Sequence, residues 1–168
     1  MNKTIELPNE KIIAVSDLIK NGYTYYEIKK LINQKKIFKL NSRYVKNLTI
    51  DNEVSQWDYA SAYAPNGIVC LMSAAVLYQL TTSQLYTIEI AIEESSKIIV
   101  DGSFIQIYDI EKTVVDIISF RNKIGIEETK EILKNYLGRP ERNVNKLMRY
   151  SKILKCNKVL ETYLEVLL

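Results

Sequence analysis

The residue types that perform most protein chemistry are missing from this chain or stand alone in it. There is no histidine, which removes Ser-His and Cys-His nucleophile pairs, an imidazole base and every His-containing zinc site. Cys70 and Cys156 lie far apart in apolar stretches. They read as buried reduced thiols, not as a disulfide or metal ligands. Single glycines at 22, 67, 102, 125 and 138 assemble neither GxGxxG nor GxxxxGK[ST], so the usual phosphate cradles are lacking. Carboxylate chemistry is what survives. A carboxylate–metal nuclease would have to use acids such as Asp101, Asp109 and Glu111, and these lack the spaced acid-and-lysine pattern of such a site. Asp116, between Val115 and Ile117, reads as a structural carboxylate held by a neighbouring base or backbone donor. The expectation is a non-enzymatic protein with no cofactor and no metal.

Binding chemistry is better supplied. Residues 1–50 hold ten Lys/Arg against four Asp/Glu, residues 51–120 two against ten, and residues 121–168 eleven against six. A basic head and a basic tail around an acidic middle offer two surfaces for polyanions. Within the head, the spacing predicts a helix over 25–35. Tyr25, Ile28, Leu31 and Ile32 share one sector of its wheel, and Tyr26, Lys29, Lys30 and Asn33 share the opposite one, with the acid Glu27 at one margin. Lysine and asparagine suit phosphates and base edges. Two short period-two runs around Asn41-Ser42 then predict a hairpin carrying Lys39, Arg43 and Lys46 toward the DNA backbone.

Those side chains need elements to hold them. Ser16 is placed to cap a short helix that stops at Gly22, and Thr24 to cap the next. The stretch before Ser16 is short and contains Pro8. Helix, turn, helix and hairpin make a winged helix-turn-helix, with the second helix in the major groove and the wing on the backbone. Further on, 68–80 reads as one buried helix and 86–92 as a strand. Asp101-Gly102-Ser103 marks a hairpin between strands at 98–100 and 104–108, and Asp109 caps a helix over 111–122. The tail reads as three helices, over 127–137, from the Asn143 cap to 155, and from Asn157 onward. Arg142, Lys146, Arg149 and Lys152 project together there as a second polyanion or partner surface. The longest apolar run, 68–78, is half a membrane span. The opening residues MNKTIELPNE lack a signal peptide's apolar core, so no membrane association and a cytoplasmic location are expected.

Several stretches resemble the AbiEi antitoxins: Tyr108 through Asp116, Phe120-Arg121-Asn122-Lys123, Glu128-Thr129-Lys130, and Asn145 through Tyr150 with the ending Tyr163 to Leu168. Pro65-Asn66-Gly67-Ile68, Ser73-Ala74-Ala75 and the pattern from Leu31 to Tyr44 are similar to the family's middle and head. The resemblance implies a transcriptional repressor and antitoxin of a bacterial abortive-infection system, paired with a nucleotidyltransferase-like toxin. Its winged head would bind inverted repeats in the operon's own promoter, and the C-terminal domain would carry antitoxin activity without requiring stable contact with the toxin. The expected fold is α+β, a winged helix-turn-helix over 1–50 and a C-terminal domain over 51–168 with a small sheet packed by several helices. The alternative is a protein–protein inhibitor that keeps the fold without promoter binding.

Overall fold

The computed structural model describes residues 6–50, 53–91, 96–100 and 103–167, and these fall into two units. The first carries the described residues as far as Pro65, together with Val100 and Ser103, and the second carries the remainder. The class is mixed α+β, as expected from sequence.

The first unit runs β1 (Ile12–Ala14), α1 (Val15–Lys20), α2 (Tyr25–Asn33), β2 (Ile37–Lys39), β3 (Tyr44–Asn47) and α3 (Gln56–Tyr63). Its three strands are antiparallel in the order β1-β3-β2. Ile13 lies opposite Val45, and Lys39 opposite Val45 on the other side. Strand alternation therefore puts Ile13, Ile37 and Val45 on one face. There they bury against Leu18, Tyr23 and Ile28 from the helical segment. Each fully buried aliphatic side chain contributes on the order of 1.5–3 kcal/mol. Gly22, at φ +95°, takes the left-handed turn that ends α1. Thr24 opens α2 through a reciprocal capping box. Its hydroxyl accepts from the Glu27 N–H at 3.2 Å, and the Glu27 carboxylate accepts from the Thr24 N–H at 2.7 Å.

Three expectations for this unit are corrected. Ser16 is not a cap, because the strand runs straight into α1 and Ala14 occupies the cap position. The Val15 N–H is instead satisfied by the Arg43 carbonyl of the hairpin, at 2.8 Å. Tyr25, expected inside, is 74 % exposed; it is the first residue of α2, while Ile28 one turn on is the helix residue that enters the core. Third, the unit does not end at residue 50. Ser55 and Asp58 form another capping box that starts α3, Lys11 reaches Asp58 at 3.1 Å, and α3 packs on β1. Trp57 is buried, and the Tyr63 ring sits 4.8 Å from that of Tyr44 on the sheet face opposite the Val45 core.

In the second unit, β4 (Ile68–Val69), α4 (Leu71–Leu77), β5 (Ile90–Ala91), β6 (Ser96–Val100) and β7 (Ser103–Ile107) precede α5 (Ile110–Ser119), α6 (Arg121–Ile124), α7 (Ile126–Leu137), α8 (Val144–Ile153) and α9 (Asn157–Leu167). The sheet order is β5-β4-β7-β6, with β4 antiparallel to β5 and parallel to β7. The expected single helix over 68–80 is thus a strand followed by a shorter helix. Ile68 and Val69 are β-branched and buried between two strands, and pairing there wins over helix continuation. Of the strand expected over 86–92, only Ile90–Ala91 pairs among the described residues, and Ile92 lies outside them. The Asp101-Gly102 turn likewise lies outside the described residues.

Asp109 caps α5 by accepting the Lys112 N–H at 3.0 Å, as its position predicts. α5 then packs against α4, α7, α8 and α9, and every residue from Thr113 to Ile118 is buried. Asp116, inside that run, is held by the Lys112 ammonium at 2.8 and 2.7 Å, the structural role expected of it. Cys70 and Cys156 are free and buried, and burial pushes the Cys70 thiol up to about 11, which leaves it protonated near neutrality.

Because Trp57 is the only tryptophan, its emission reports the state of the first unit. Trp57→Ala removes a buried aromatic between α3 and the rest of that unit and should cost about 3–5 kcal/mol. Urea unfolding followed by far-ultraviolet circular dichroism measures it. An unchanged midpoint would mean α3 is dispensable.

Candidate nucleic-acid interface

The outer face of α2 is built from what the capping box and the core leave over. Thr24 and Glu27 fix where the helix begins, Ile28 is drawn inward with Leu31 and Ile32 against it, and Tyr26, Lys29, Lys30 and Asn33 all emerge exposed. Tyr26 is 79 % exposed. The side chains of Tyr26, Lys29 and Asn33 make no hydrogen bond, ion pair or ring contact among the described residues. Glu27 is the helix's one acid, and its carboxylate is turned back onto the Thr24 N–H and hydroxyl, both at 2.7 Å. Those two hydrogen bonds, with Lys30 nearby, hold its pKa below the usual carboxylate value. The solvent-facing groups are thus an aromatic ring, two ammonium groups and an amide, with the Glu27 carboxylate exposed beside them but engaged by Thr24.

The hairpin divides its three cations. Lys39 shares the sheet face of Ile37 and Val45, the face that α1 and α2 cover, and is exposed at its end. Arg43 stands exposed in the β2–β3 turn, where Asn41 Oδ1 accepts from the Arg43 and Tyr44 N–H groups at 2.8 and 3.0 Å. Lys46 is different. It lies opposite Phe38 and Ile12 in register, two residues from Tyr44 and on the Tyr44 side. Tyr44 meets the Tyr63 ring of α3, so Lys46 points to the α3 side of the sheet, away from α2. The structure brings six of the seven expected residues to the α2 side and leaves Lys46 across the sheet from them.

The second expected surface loses a member too. Arg142, Arg149 and Lys152 are exposed, but Lys146 turns inward and bridges Asp109 at 3.3 Å and Glu111 at 3.2 Å. Tyr150 donates to the other Asp109 oxygen at 2.7 Å, and the Tyr136 hydroxyl donates to Glu111 at 3.2 Å. Burial by itself would raise the Asp109 pKa, but the Lys112 N–H, the Tyr150 hydroxyl and Lys146 outweigh it, and the carboxyl ends below its ordinary value. Burial opposes charge on Lys146 as well, yet the two carboxylates hold its pKa above the usual ammonium value. Of the acids a nuclease would have used, Asp109 and Glu111 are engaged by Lys146 and these hydroxyls, and Asp101 lies outside the described residues. No cluster of three metal-ligating side chains occurs among the described residues, and no helix among them is long and apolar enough to cross a membrane.

Sequence reasoning missed Tyr25 as a surface residue. The Thr24-x-x-Glu27 pattern held the signal, since it makes Tyr25 the first helical position, ahead of the turn that enters the core. No protein-family model matches the chain, and a search of curated proteins found no match.

The Asp109–Lys146–Glu111 cluster sets an acid and an alkaline limit for the second unit. Asp109 has a depressed folded pKa, so its stabilisation is complete above the unfolded value of about 3.9 and is lost as pH falls through the folded value. Lys146 has a raised folded pKa, so its stabilisation is complete below the unfolded value of about 10.4 and is lost as pH rises through the folded one. Lys146→Ala leaves Glu111 buried and short of its cation, which should cost about 2–4 kcal/mol at neutral pH. Urea titrations at several pH values test both, and a wild-type-like midpoint for that variant would remove the cluster from the account of stability.

Proposed function

We propose that the first unit is a winged helix-turn-helix that binds double-stranded DNA, and that the chain is a transcriptional repressor and antitoxin of the AbiEi kind. The observation that carries the DNA reading is the outer face of α2. A capped helix presents Tyr26, Lys29, Lys30 and Asn33 to solvent, its only acid, the exposed Glu27, is engaged by the Thr24 N–H and hydroxyl, and Lys39 and Arg43 stand exposed on the adjoining hairpin. Such a helix enters the major groove, where Asn33 pairs with a base edge and the cations meet phosphates. The strand β1 and the β2–β3 hairpin supply the three-stranded sheet that a winged module sets beside its helix pair.

The antitoxin role rests on the resemblance of residues 108–130 and 145–168 to that family. On this reading the promoter bound is the operon's own, and the functional partner is a nucleotidyltransferase-like toxin. Arg142, Arg149 and Lys152 form the solvent-facing basic group of the second unit available to a partner. Lys146 is assigned to its internal ion pairs.

Two measurements test this. In a gel-shift titration with DNA from upstream of the gene, Asn33→Ala should relax sequence preference by about 1–3 kcal/mol. Log K should fall with log salt by roughly 0.9 per phosphate neutralised, and Lys29→Gln with Lys30→Gln should flatten that slope. Binding insensitive to salt would exclude an electrostatic DNA contact. In co-expression with the toxin, reversing Arg142, Arg149 and Lys152 together should weaken rescue of growth. A protein that rescues growth yet shifts no DNA would be an inhibitor that kept the fold and lost the promoter.

A further inference from the structure

A groove on the first unit is not used by the α2 face. It runs between the start of α1 and the hairpin turn, and its lining includes four polar residues, Ser16, Tyr25, Ser42 and Arg43, besides Tyr44, whose ring packs on Tyr63, over an apolar floor that includes Val15 and Ile19. All four polar residues are exposed, and none of their side chains makes a hydrogen bond, ion pair or ring contact among the described residues. Among the described residues no carboxylate lines the groove. The nearest acid in sequence, Asp17, is engaged by Lys20 at 3.1 Å. One guanidinium and three hydroxyls thus share an apolar-floored groove with no internal use for any of them.

The backbone around the groove is held firmly. The Arg43 carbonyl accepts the Val15 N–H at 2.8 Å, and the Arg43 N–H donates to Asn41 at 2.8 Å. Asn41 in turn donates to the Tyr63 hydroxyl at 3.4 Å, and Tyr44 packs on the Tyr63 ring. The main chain of Arg43 is therefore fixed to α1 on one side and to α3 on the other, while its side chain remains available. The main-chain frame of the groove is thus set before an anion arrives, and the freedom lost on binding is that of the side chains alone.

We propose that this groove takes one phosphodiester of the DNA backbone. Arg43 pairs with the anionic oxygens through its forked donors, the hydroxyls of Ser16, Ser42 and Tyr25 donate to the remaining oxygens, and the sugar lies on Val15 and Ile19. The contact is independent of sequence, and it anchors the module so that α2 meets the base edges in one register. The proposal rests on the DNA reading above, which already turns Arg43 toward phosphate, and adds to it the Ser16, Ser42 and Tyr25 hydroxyls and the apolar floor that complete one site apart from Lys29, Lys30 and Asn33.

The test compares a short duplex of arbitrary sequence with DNA from upstream of the gene, using the full chain carrying Arg43→Gln or Ser16→Glu. Arg43→Gln should weaken both DNAs by the same factor, roughly tenfold, and reduce the salt slope by about 0.9. Ser16→Glu places a carboxylate in the groove and should weaken both DNAs further. Methylphosphonate substitution along the duplex should reveal one position at which Arg43→Gln no longer matters, because its partner charge is already gone. If both variants bind both DNAs with unchanged affinity and slope while Asn33→Ala still loses preference, the groove is overturned and the α2 reading stands. A loss confined to the upstream DNA would also overturn it, since that is base readout. No binding of either DNA by the unaltered protein at low salt would overturn the groove and the reading beneath it together.

Discussion

A carboxylate that cannot reach water governs the second unit. Glu111 is 4 % exposed because it sits in the first turn of α5, a helix surrounded by α4, α7, α8 and α9. An isolated anion in such a place costs several kcal/mol unless a cation and hydrogen-bond donors accompany it. Lys146 supplies the cation from α8, and Tyr136 supplies a hydroxyl from α7. The Tyr136 oxygen also accepts the Asn143 N–H at 2.9 Å, tying the start of α8 to the same point. One buried charge thereby fixes where two helices meet a third. Among the described residues no buried side-chain polar atom lacks a partner.

The first unit obeys a similar economy with backbone groups. β3 pairs on both sides, with β1 and β2, and its two faces are both put to use: Val45 in the helical core, Tyr44 against α3. The hairpin turn closes on itself through Asn41 and lends a carbonyl to the first N–H of α1. Internal polar groups are satisfied this way without drawing on the outer face of α2 or on the groove beside it. Tyr26, Lys29 and Asn33 on that face, and Ser16, Tyr25, Ser42 and Arg43 in the groove, have no side-chain partner among the described residues, which is what makes these the places to read for a ligand.

Local hydrogen bonding and periodicity were legible in the chain before any fold was known. Thr24, Asp109 and Asn143 cap the helices they were expected to cap, and Gly22 ends α1 where a left-handed residue was needed. The outer positions 26, 29, 30 and 33 of α2 are exposed as the wheel required. The α3 cap was also written, as Ser55-x-x-Asp58, though its helix was not expected. Each of these features depends on groups within about one helical turn of one another, so residue order is enough to determine them.

Contacts between distant segments were decided by the tertiary structure alone. Whether Ile68 and Val69 continue a helix or enter a sheet depends on β5 and β7 being there to pair with them. Whether Lys146 is a free surface cation or an ion-paired one depends on Asp109 and Glu111 arriving beside it. Lys46 and Lys39 look alike in sequence, and only strand register sends them to opposite faces of the sheet. The α2 face was therefore readable from the chain, whereas the Arg43 groove was not. Ser16, Tyr25, Ser42 and Arg43 come from three separate stretches, and only the antiparallel pairing of β1 with β3, sealed by the Val15–Arg43 hydrogen bond, draws them to one place.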